Sequence, residues 1–289
     1  MTLIQFEVLL TVVKEGSFTK AGDVLGMTQS AVSHIISNLE SELGVTLLIR
    51  DRRGIKLTAA GEKVVNHVEQ IIQHVDLLQS DLLAYKGLAK GTIRIGSFPS
   101  VSAHLLPLAM KTFRASYPEI ELIFLDGTNQ EVRNWLFTGA IDVGFVSLPD
   151  SEFETTFIVH DEMKVLVPST HSLASKRSLE VEDIRDEAFI MTKGGCEGMI
   201  RKIFKACNPD IKYEVKETST ILTMVQQGFG ITILPSMALP AKLPQAVVLS
   251  FDPPVYRSLG LAVNSLDASS KAVQMFIEHV HNLCKTDLP

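Results

Sequence analysis

Cysteine is scarce in this chain of 289 residues: only Cys196, Cys207 and Cys284 occur. They show neither CxxC nor Cys/His ligand spacing, so no zinc site or disulfide framework organises the fold, and neither a metal nor a cofactor is expected. Long apolar runs are missing too. None approaches the roughly 20 residues that span a bilayer, so no membrane partner is expected. The chain does not open on a basic start, an apolar core and a small-residue cleavage site, which makes the cytoplasm the expected location and reduced thiols the expected state. GxSxG, a Walker loop, HExxH and a GxGxxG after a strand are all absent, and no catalytic residue is expected. The paired carboxylates Glu182-Asp183 and Asp186-Glu187 lie in a polar run and read as solvated surface. Basic charge is not in excess either; the net charge is −6. That balance counts against nucleic-acid binding unless positive charge is concentrated somewhere.

It is concentrated near residue 52. Residues 1–58 hold six Lys/Arg (Lys14, Lys20, Arg50, Arg52, Arg53, Lys56) and six Asp/Glu (Glu7, Glu15, Asp23, Glu40, Glu42, Asp51), so the acidic surplus lies in the remainder. Four of the six basic residues fall between 50 and 56. Phosphate contacts need local Lys and Arg, not a basic chain.

Just before this cluster, residues 17–42 read as two helical segments joined at Gly26-Met27, with Thr28 capping the second. Ala21, Val24 and Leu25 make an apolar stripe on the first, and Ala31, Val32, Ile35, Ile36 and Leu39 one on the second. The opposite face of the second carries Gln29, Ser30, Ser33, His34, Ser37 and Asn38. Short hydroxyl and amide side chains at a helix start suit reading base edges in a major groove, whereas an ordinary solvated face is richer in Lys and Glu. An earlier helix has Thr2 and Gln5 at capping-box spacing, then Phe6, Leu9, Leu10 and Val13 on one face. Past the terminator Gly44, two short strands flank the arginine-dense turn at 51–54. Three helices and a basic hairpin make a winged helix-turn-helix.

Phe6, Gly16-Ser17-Phe18-Thr19, Ala21, Leu25, Gln29, Ala31-Val32-Ser33, Leu39-Glu40, Leu43-Gly44, Leu47, Arg50, Leu57-Thr58 and Gly61 resemble the N-terminal signature of LysR-type transcriptional regulators. Gly22 stands where that pattern usually has Ala, Ser30 where it has Pro, and Leu48 where it has Phe. The resemblance implies that Gln29, Ser30, Ser33 and His34 enter the major groove. It implies that Arg53 reaches the minor groove or phosphates, and that Ser17, Thr28 and Arg50 fix orientation.

From Thr58 a long helix is expected to about Ala89. Val64, Val68, Ile71, Val75, Leu78, Leu82 and Tyr85 recur at alternating spacings of four and three. Such heptads bury well against a second copy, predicting a dimer; a helix packed on its own domain would use the same stripe. His67 and His74 on its flank read as solvated.

After a hinge at Gly87–Gly91, strands and helices alternate, predicting βαβ units and a mainly parallel sheet. Expected strands are Thr92–Ser97, Glu121–Asp126, Asp142–Val146, Phe157–Val159, Lys164–Val167, Ala188–Met191, Tyr213–Glu217, Ile231–Leu234, Val247–Ser250 and Ser258–Val263. Helices are expected over Ala103–Ser116, Gln130–Thr138, Glu197–Ala206, Ile221–Gln227 and Ser270–Leu283. GTIRIGSFPS, LLPLAMKTFRASYPEIEL, GAIDVGFV and MVQQGFGITILPS resemble the periplasmic-binding-protein-like effector domain of the same family. The fold expected is thus α/β, with domains over 1–58 (winged helix-turn-helix), 59–89 (linker helix) and 90–289 (effector domain). The last divides into lobes of about 92–163 with 267–289, and 164–266.

Ligands of open α/β sheets bind beyond strand carboxyl ends, where the loops here are rich in Ser, Thr and Gly. Ser97, Ser100, Thr128, Ser147, Gly194, Gly195 and Thr218 are the candidates for a cradle that holds a carboxylate or other small anion, with Lys193 adding charge. Each alone also fits a helix cap. Cys196 follows two glycines at a helix start, where a thiolate is favoured. Cys207 lies about 16 Å further along the same expected helix, beyond disulfide reach. By resemblance the partners are double-stranded promoter DNA, a small-molecule effector, further copies of the chain (a dimer, then a tetramer) and, for an activator, RNA polymerase. A transport solute-binding protein would suit the second half but leaves the helix-turn-helix unexplained.

Overall fold

The computed structural model describes residues 1–51, 54–85, 91–204 and 209–287. Two compact units form, one within the first 88 residues and one in most of the rest.

The first unit opens with α1 (Leu3–Glu15), whose start carries the expected capping box: Gln5 N–H donates to the Thr2 hydroxyl and Thr2 N–H to the Gln5 side chain. Ser17 caps α2 (Phe18–Leu25) and Thr28 caps α3 (Gln29–Leu43). Gly26 closes α2 in the left-handed conformation that glycine adopts without strain. At Gly22 a Cβ would stand 2.6 Å from the Met27 carbonyl oxygen, so the departure from Ala lets the turn fold back onto α2. Phe6, Leu9, Val12, Ala21, Val32, Ile36, Leu39 and Leu47 fill one core. Val24, expected on the inner stripe, is instead 64% exposed, because α2 buries Phe18, Ala21 and Gly22.

Strands β1 (Leu48–Asp51) and β2 (Gly54–Leu57) pair antiparallel as the wing. Thr58 then caps α4 (Ala59–Tyr85), accepting from Gly61 N–H while donating to the Thr46 carbonyl. The heptad stripe of α4 divides. Val64 and Val68 join the unit's own core, whereas Ile71 and Leu78 are exposed. The Leu82 and Tyr85 side chains, and the expected hinge up to residue 90, lie outside the described residues.

The second unit comprises β3 (Gly91–Ser97), α5 (Pro99–His104), α6 (Leu106–Ser116), β4 (Ile120–Asp126), α7 (Asn129–Thr138), β5 (Val143–Leu148) and β6 (Glu154–Pro168). After these come β7 (Ser178–Leu179), β8 (Ala188–Thr192), α8 (Glu197–Phe204), β9 (Asp210–Val215), α9 (Thr218–Gln226), β10 (Thr232–Pro235), β11 (Ala246–Phe251), β12 (Tyr256–Val263) and α10 (Lys271–Asp287). The single helix expected over Ala103–Ser116 is two, since Pro107 lacks the N–H that would continue it and its ring crowds the preceding turn.

The sheet is mixed, not mainly parallel. β3 lies parallel to β4 and β5, but β12 runs antiparallel to β5 and β6, and β10 and β11 antiparallel to β6. The two segments expected at Phe157–Val159 and Lys164–Val167 are one strand, β6. Its Glu154–Glu162 part pairs with β12, and its Met163–Pro168 part with β10 and β11. A strand that carries the chain over and another that brings it back run in opposite directions, hence the mixture. Each lobe has its own core: Ile93, Ile95, Phe113, Phe145 and Phe276 in the first, Met163, Val165, Phe189, Phe204 and Ile233 in the second.

Candidate functional site

On α3 the outer face is polar and almost free of charge. Gln29, Ser30, His34, Ser37 and Asn38 are exposed, Ser33 is half-buried, and Val32, Ile36 and Leu39 hold the opposite side in the core. The Thr28 hydroxyl accepts from Ala31 N–H at 3.2 Å and lies 3.0 Å from the Ser30 hydroxyl, and Asn38 Nδ2 is 3.2 Å from His34 Nδ1. Ser17 Oγ accepts a long 3.4 Å contact from Lys20 N–H, its one hydrogen bond among the described residues. Glu40, which belongs to the family signature, is a positioning residue whose role the sequence did not reveal. Its Oε1 accepts from Leu47 N–H (2.7 Å) and Leu48 N–H (3.1 Å), tying the wing to α3. A Glu on a helix followed shortly by a strand start is the signal available. The Arg50 side chain and all of Arg53 lie outside the described residues.

In the second unit the lobes enclose a cleft of about 370 Å³. At its base Arg257 stands opposite Asp161 in the β12–β6 ladder. Arg257 Nε and Nη2 donate to Asp161 Oδ2 at 2.9 and 2.7 Å, Nη2 also to the Ser100 hydroxyl at 2.6 Å, and Nη1 to Cys196 Sγ at 3.5 Å. Asp161 Oδ1 accepts from the Ser236 hydroxyl and Met237 N–H. Both members of the pair are buried, and the guanidinium lies 5.4 Å from the Phe98 ring centroid.

Of the sequence candidates, Ser100, Thr128, Gly194 and Thr218 line this cleft. Three do not. Ser97 shares its strand face with Ile93 and Ile95 and is buried in the core. Ser147 donates its N–H to Asn129 Oδ1, anchoring the start of α7. Gly195 is exposed, with its N–H on Glu197 Oε2. Lys193 pairs with Glu214 at 3.1 Å, and the lysine of the cleft is Lys216.

Charge was the unforeseen element. Asp126, Glu131, Glu217, Lys216 and Arg257 all line the cleft. Glu131 and Thr128 form a capping box: Thr128 N–H donates to Glu131 Oε2 at 2.6 Å and Glu131 N–H to Thr128 Oγ1 at 3.2 Å. Those bonds, aided by Lys216, hold the Glu131 carboxyl below its usual range. The spacing of Thr128 and Glu131 could have been read as an N-terminal box; Arg257, at the head of an apolar strand, offered no local signal. The thiolate expected at Cys196 is not favoured. Burial pushes this thiol up, Arg257 opposing and Glu197 and Asp161 adding to the effect. Cys207 lies outside the described residues.

Residues 3–62 match the bacterial regulatory helix-turn-helix model of the lysR family, and residues 86–285 match the LysR substrate binding domain. The chain belongs to the LysR family of transcriptional regulators. It is a DNA-binding regulator with a small-molecule-binding domain, and not an enzyme. The HTH-type transcriptional regulator YvbU of Bacillus subtilis (strain 168) is 38% identical over 288 residues, covering 98% of this chain and 99% of that one. AlsR of the same organism is 30% identical over 250 residues, covering 82% of each. The fold is shared with a full-length OxyR variant from Pseudomonas aeruginosa (TM-score 0.78, 23% identity, 99% of this chain and 95% of that one). It is shared too with CbnR solved with its target DNA (TM-score 0.69, 21% identity, 98% and 99%). Among the described residues of this LysR-type regulator, no helix is long and apolar enough to cross a membrane.

Proposed function

We propose that this regulator reads promoter half-sites with Gln29, Ser30, Ser33 and His34 in the major groove. Ser17, Thr28 and Arg50 position it on phosphates, and Arg53 reaches the adjacent minor groove or backbone. The observation that carries this reading is the exposed, uncharged outer face of α3, held rigid by a capped start and a buried inner face. CbnR, which shares the fold, was solved on its target DNA. Residues 1–58 act as the DNA-binding domain, 59–89 as the linker and 90–289 as the effector domain. The cytoplasm is where the chain would meet its promoters.

The exposed Ile71 and Leu78 support dimerisation through α4, with two dimers forming a tetramer on DNA. A small molecule bearing an anionic group occupies the cleft, near Ser100, Thr128, Gly194 and Thr218, and shifts the regulator between two states by binding one of them better. When it activates, RNA polymerase is the partner at the promoter.

Gel shifts on genomic fragments test the reading. Gln29→Ala with Ser33→Ala should relax or abolish sequence preference while leaving the fold unchanged by circular dichroism. Retention of the wild-type footprint would exclude α3 as the reading helix. Ile71→Lys with Leu78→Lys should give monomers by light scattering; unchanged mass would remove the α4 dimer.

A further inference from the structure

We infer that Arg257 is a positioning residue that sets how far the two lobes stand apart, one guanidinium fastening α5 of the first lobe to the second. This goes beyond the cleft reading above and rests on it only for the consequence at DNA. Strand β6 pairs with β12 as far as Glu162 and with β10 from Met163 onward. Asp161 and Arg257, opposite each other in that ladder, therefore sit beside the step at which β6 passes from one lobe to the other. The Asp161 side chain is fully buried and that of Arg257 is 6% exposed, so water does not compete for their partners.

Nε and Nη2 both donate to Asp161 Oδ2, which fixes the guanidinium plane and with it the direction of every remaining N–H of the fork. One of these meets Ser100 Oγ at 2.6 Å, and Ser100 lies between Phe98 and Val101 of the first lobe's core. On the other side of the pair, Asp161 Oδ1 accepts from the Ser236 hydroxyl at 2.7 Å, directly after β10, whose Ile233 is in the second lobe's core. From α5 to the end of β10 the lobes are thus joined by an unbroken run of charge-assisted hydrogen bonds. Lysine would keep the charge opposite Asp161 but lacks the planar fork that meets Asp161 and Ser100 together. The tie extends to the mouth of the cleft. Nη1 meets Cys196 Sγ at 3.5 Å, and Cys196 packs against the second lobe's core. A Cβ on its neighbour Gly195 would stand 3.9 Å from the backbone nitrogen of Asn129, the first residue of α7. The lobes meet there, one residue from the thiol that Arg257 holds, so their parting opens a path to Cys196.

Cys196, which lines the cleft, is the reporter. The full-length protein is treated with N-ethylmaleimide, and modification of each cysteine is followed by mass spectrometry of its peptide. Cys284, buried in the first lobe's core, registers general loosening. Ser100→Ala cuts the tie and leaves the ion pair in place. It should speed Cys196 by about two- to tenfold, the worth of one hydrogen bond, with Cys284 at its wild-type rate. Arg257→Lys should speed Cys196 at least as much, and the double variant no more than Arg257→Lys alone, since both changes cut one tie. An unchanged or slower Cys196 in Ser100→Ala overturns the inference, as do Cys196 and Cys284 quickening together, or single effects that multiply in the double variant. Ser100→Ala alone is decisive if Arg257→Lys does not fold. Gel shifts of Ser100→Ala on genomic fragments keep the two readings apart. A quickened Cys196 with wild-type DNA affinity leaves the tie standing and counts against the cleft as the site that controls DNA binding.

Discussion

The reading face of α3 and the cleft of the second unit are both polar surfaces, yet they are assembled in opposite ways. The reading face, Gln29 to Asn38, falls within ten residues of the Thr28 cap, and its orientation is set by buried neighbours three and four positions away on the same helix. The cleft brings Arg257 to Ser100 across 157 positions of sequence, and Asp161 to Arg257 across 96. A surface drawn from one helix can change its side chains without disturbing its support. A surface drawn from separate loops and strands uses the same residues for support and for contact.

The largest effect expected from that contrast is at Asp161. Removing it as Asp161→Ala leaves the Arg257 guanidinium buried without a counter-ion, which typically costs about 3–5 kcal/mol. Denaturant unfolding should show it, whereas His34→Ala on the α3 face should shift stability by less than about 0.5 kcal/mol. Equal effects would abolish the distinction. Glu40 tests the one place where the first unit behaves like the cleft. Glu40→Ala removes a carboxylate that holds two amides of the wing and should cost about 1.5–3 kcal/mol, with a matching loss of DNA affinity in gel shifts. Smaller still is Arg53→Ala, which should leave unfolding unchanged and lower the salt dependence of DNA binding by about one ion for each phosphate it no longer neutralises. An unaltered slope would remove Arg53 from the phosphates.

The smallest effect concerns Glu69 on α4. Burial raises its carboxyl above the ordinary value. The native state therefore binds that proton more tightly than the unfolded chain. Its contribution to stability is present in full below the ordinary carboxylate value and is lost as pH rises through the raised one. Glu69→Gln carries no such loss. It should melt above wild type at neutral pH, the gap closing as pH falls; a gap independent of pH would mean another cause.

The same contrast decides what could be read without coordinates. The capping residues Thr2 and Thr28, the break at Gly26, the terminator Gly44 and the inner and outer faces of α3 are all local features, legible from residue type and periodicity, whereas the cap at Ser17 and the terminator Gly16 emerged with the structure. The strand–helix alternation of the second unit was legible for the same reason. The pairing of strands was not, because nothing in Glu154–Pro168 shows that one strand serves two lobes. The cleft was found by the rule that ligands sit beyond strand ends, and four of the seven candidates line it. Ser97 failed on the parity of its strand. Arg257, Lys216 and Asp126 were passed over because a charge on a strand or at a loop edge looks like solvated surface until the fold turns it inward.

Because β6 supplies a middle strand to both lobes, neither can lose its order without stripping the other of a ladder partner. Two separate apolar cores would ordinarily melt in two steps. Here a single 15-residue backbone segment makes them thermodynamically one, so heating should show one calorimetric transition for the whole ligand-binding unit.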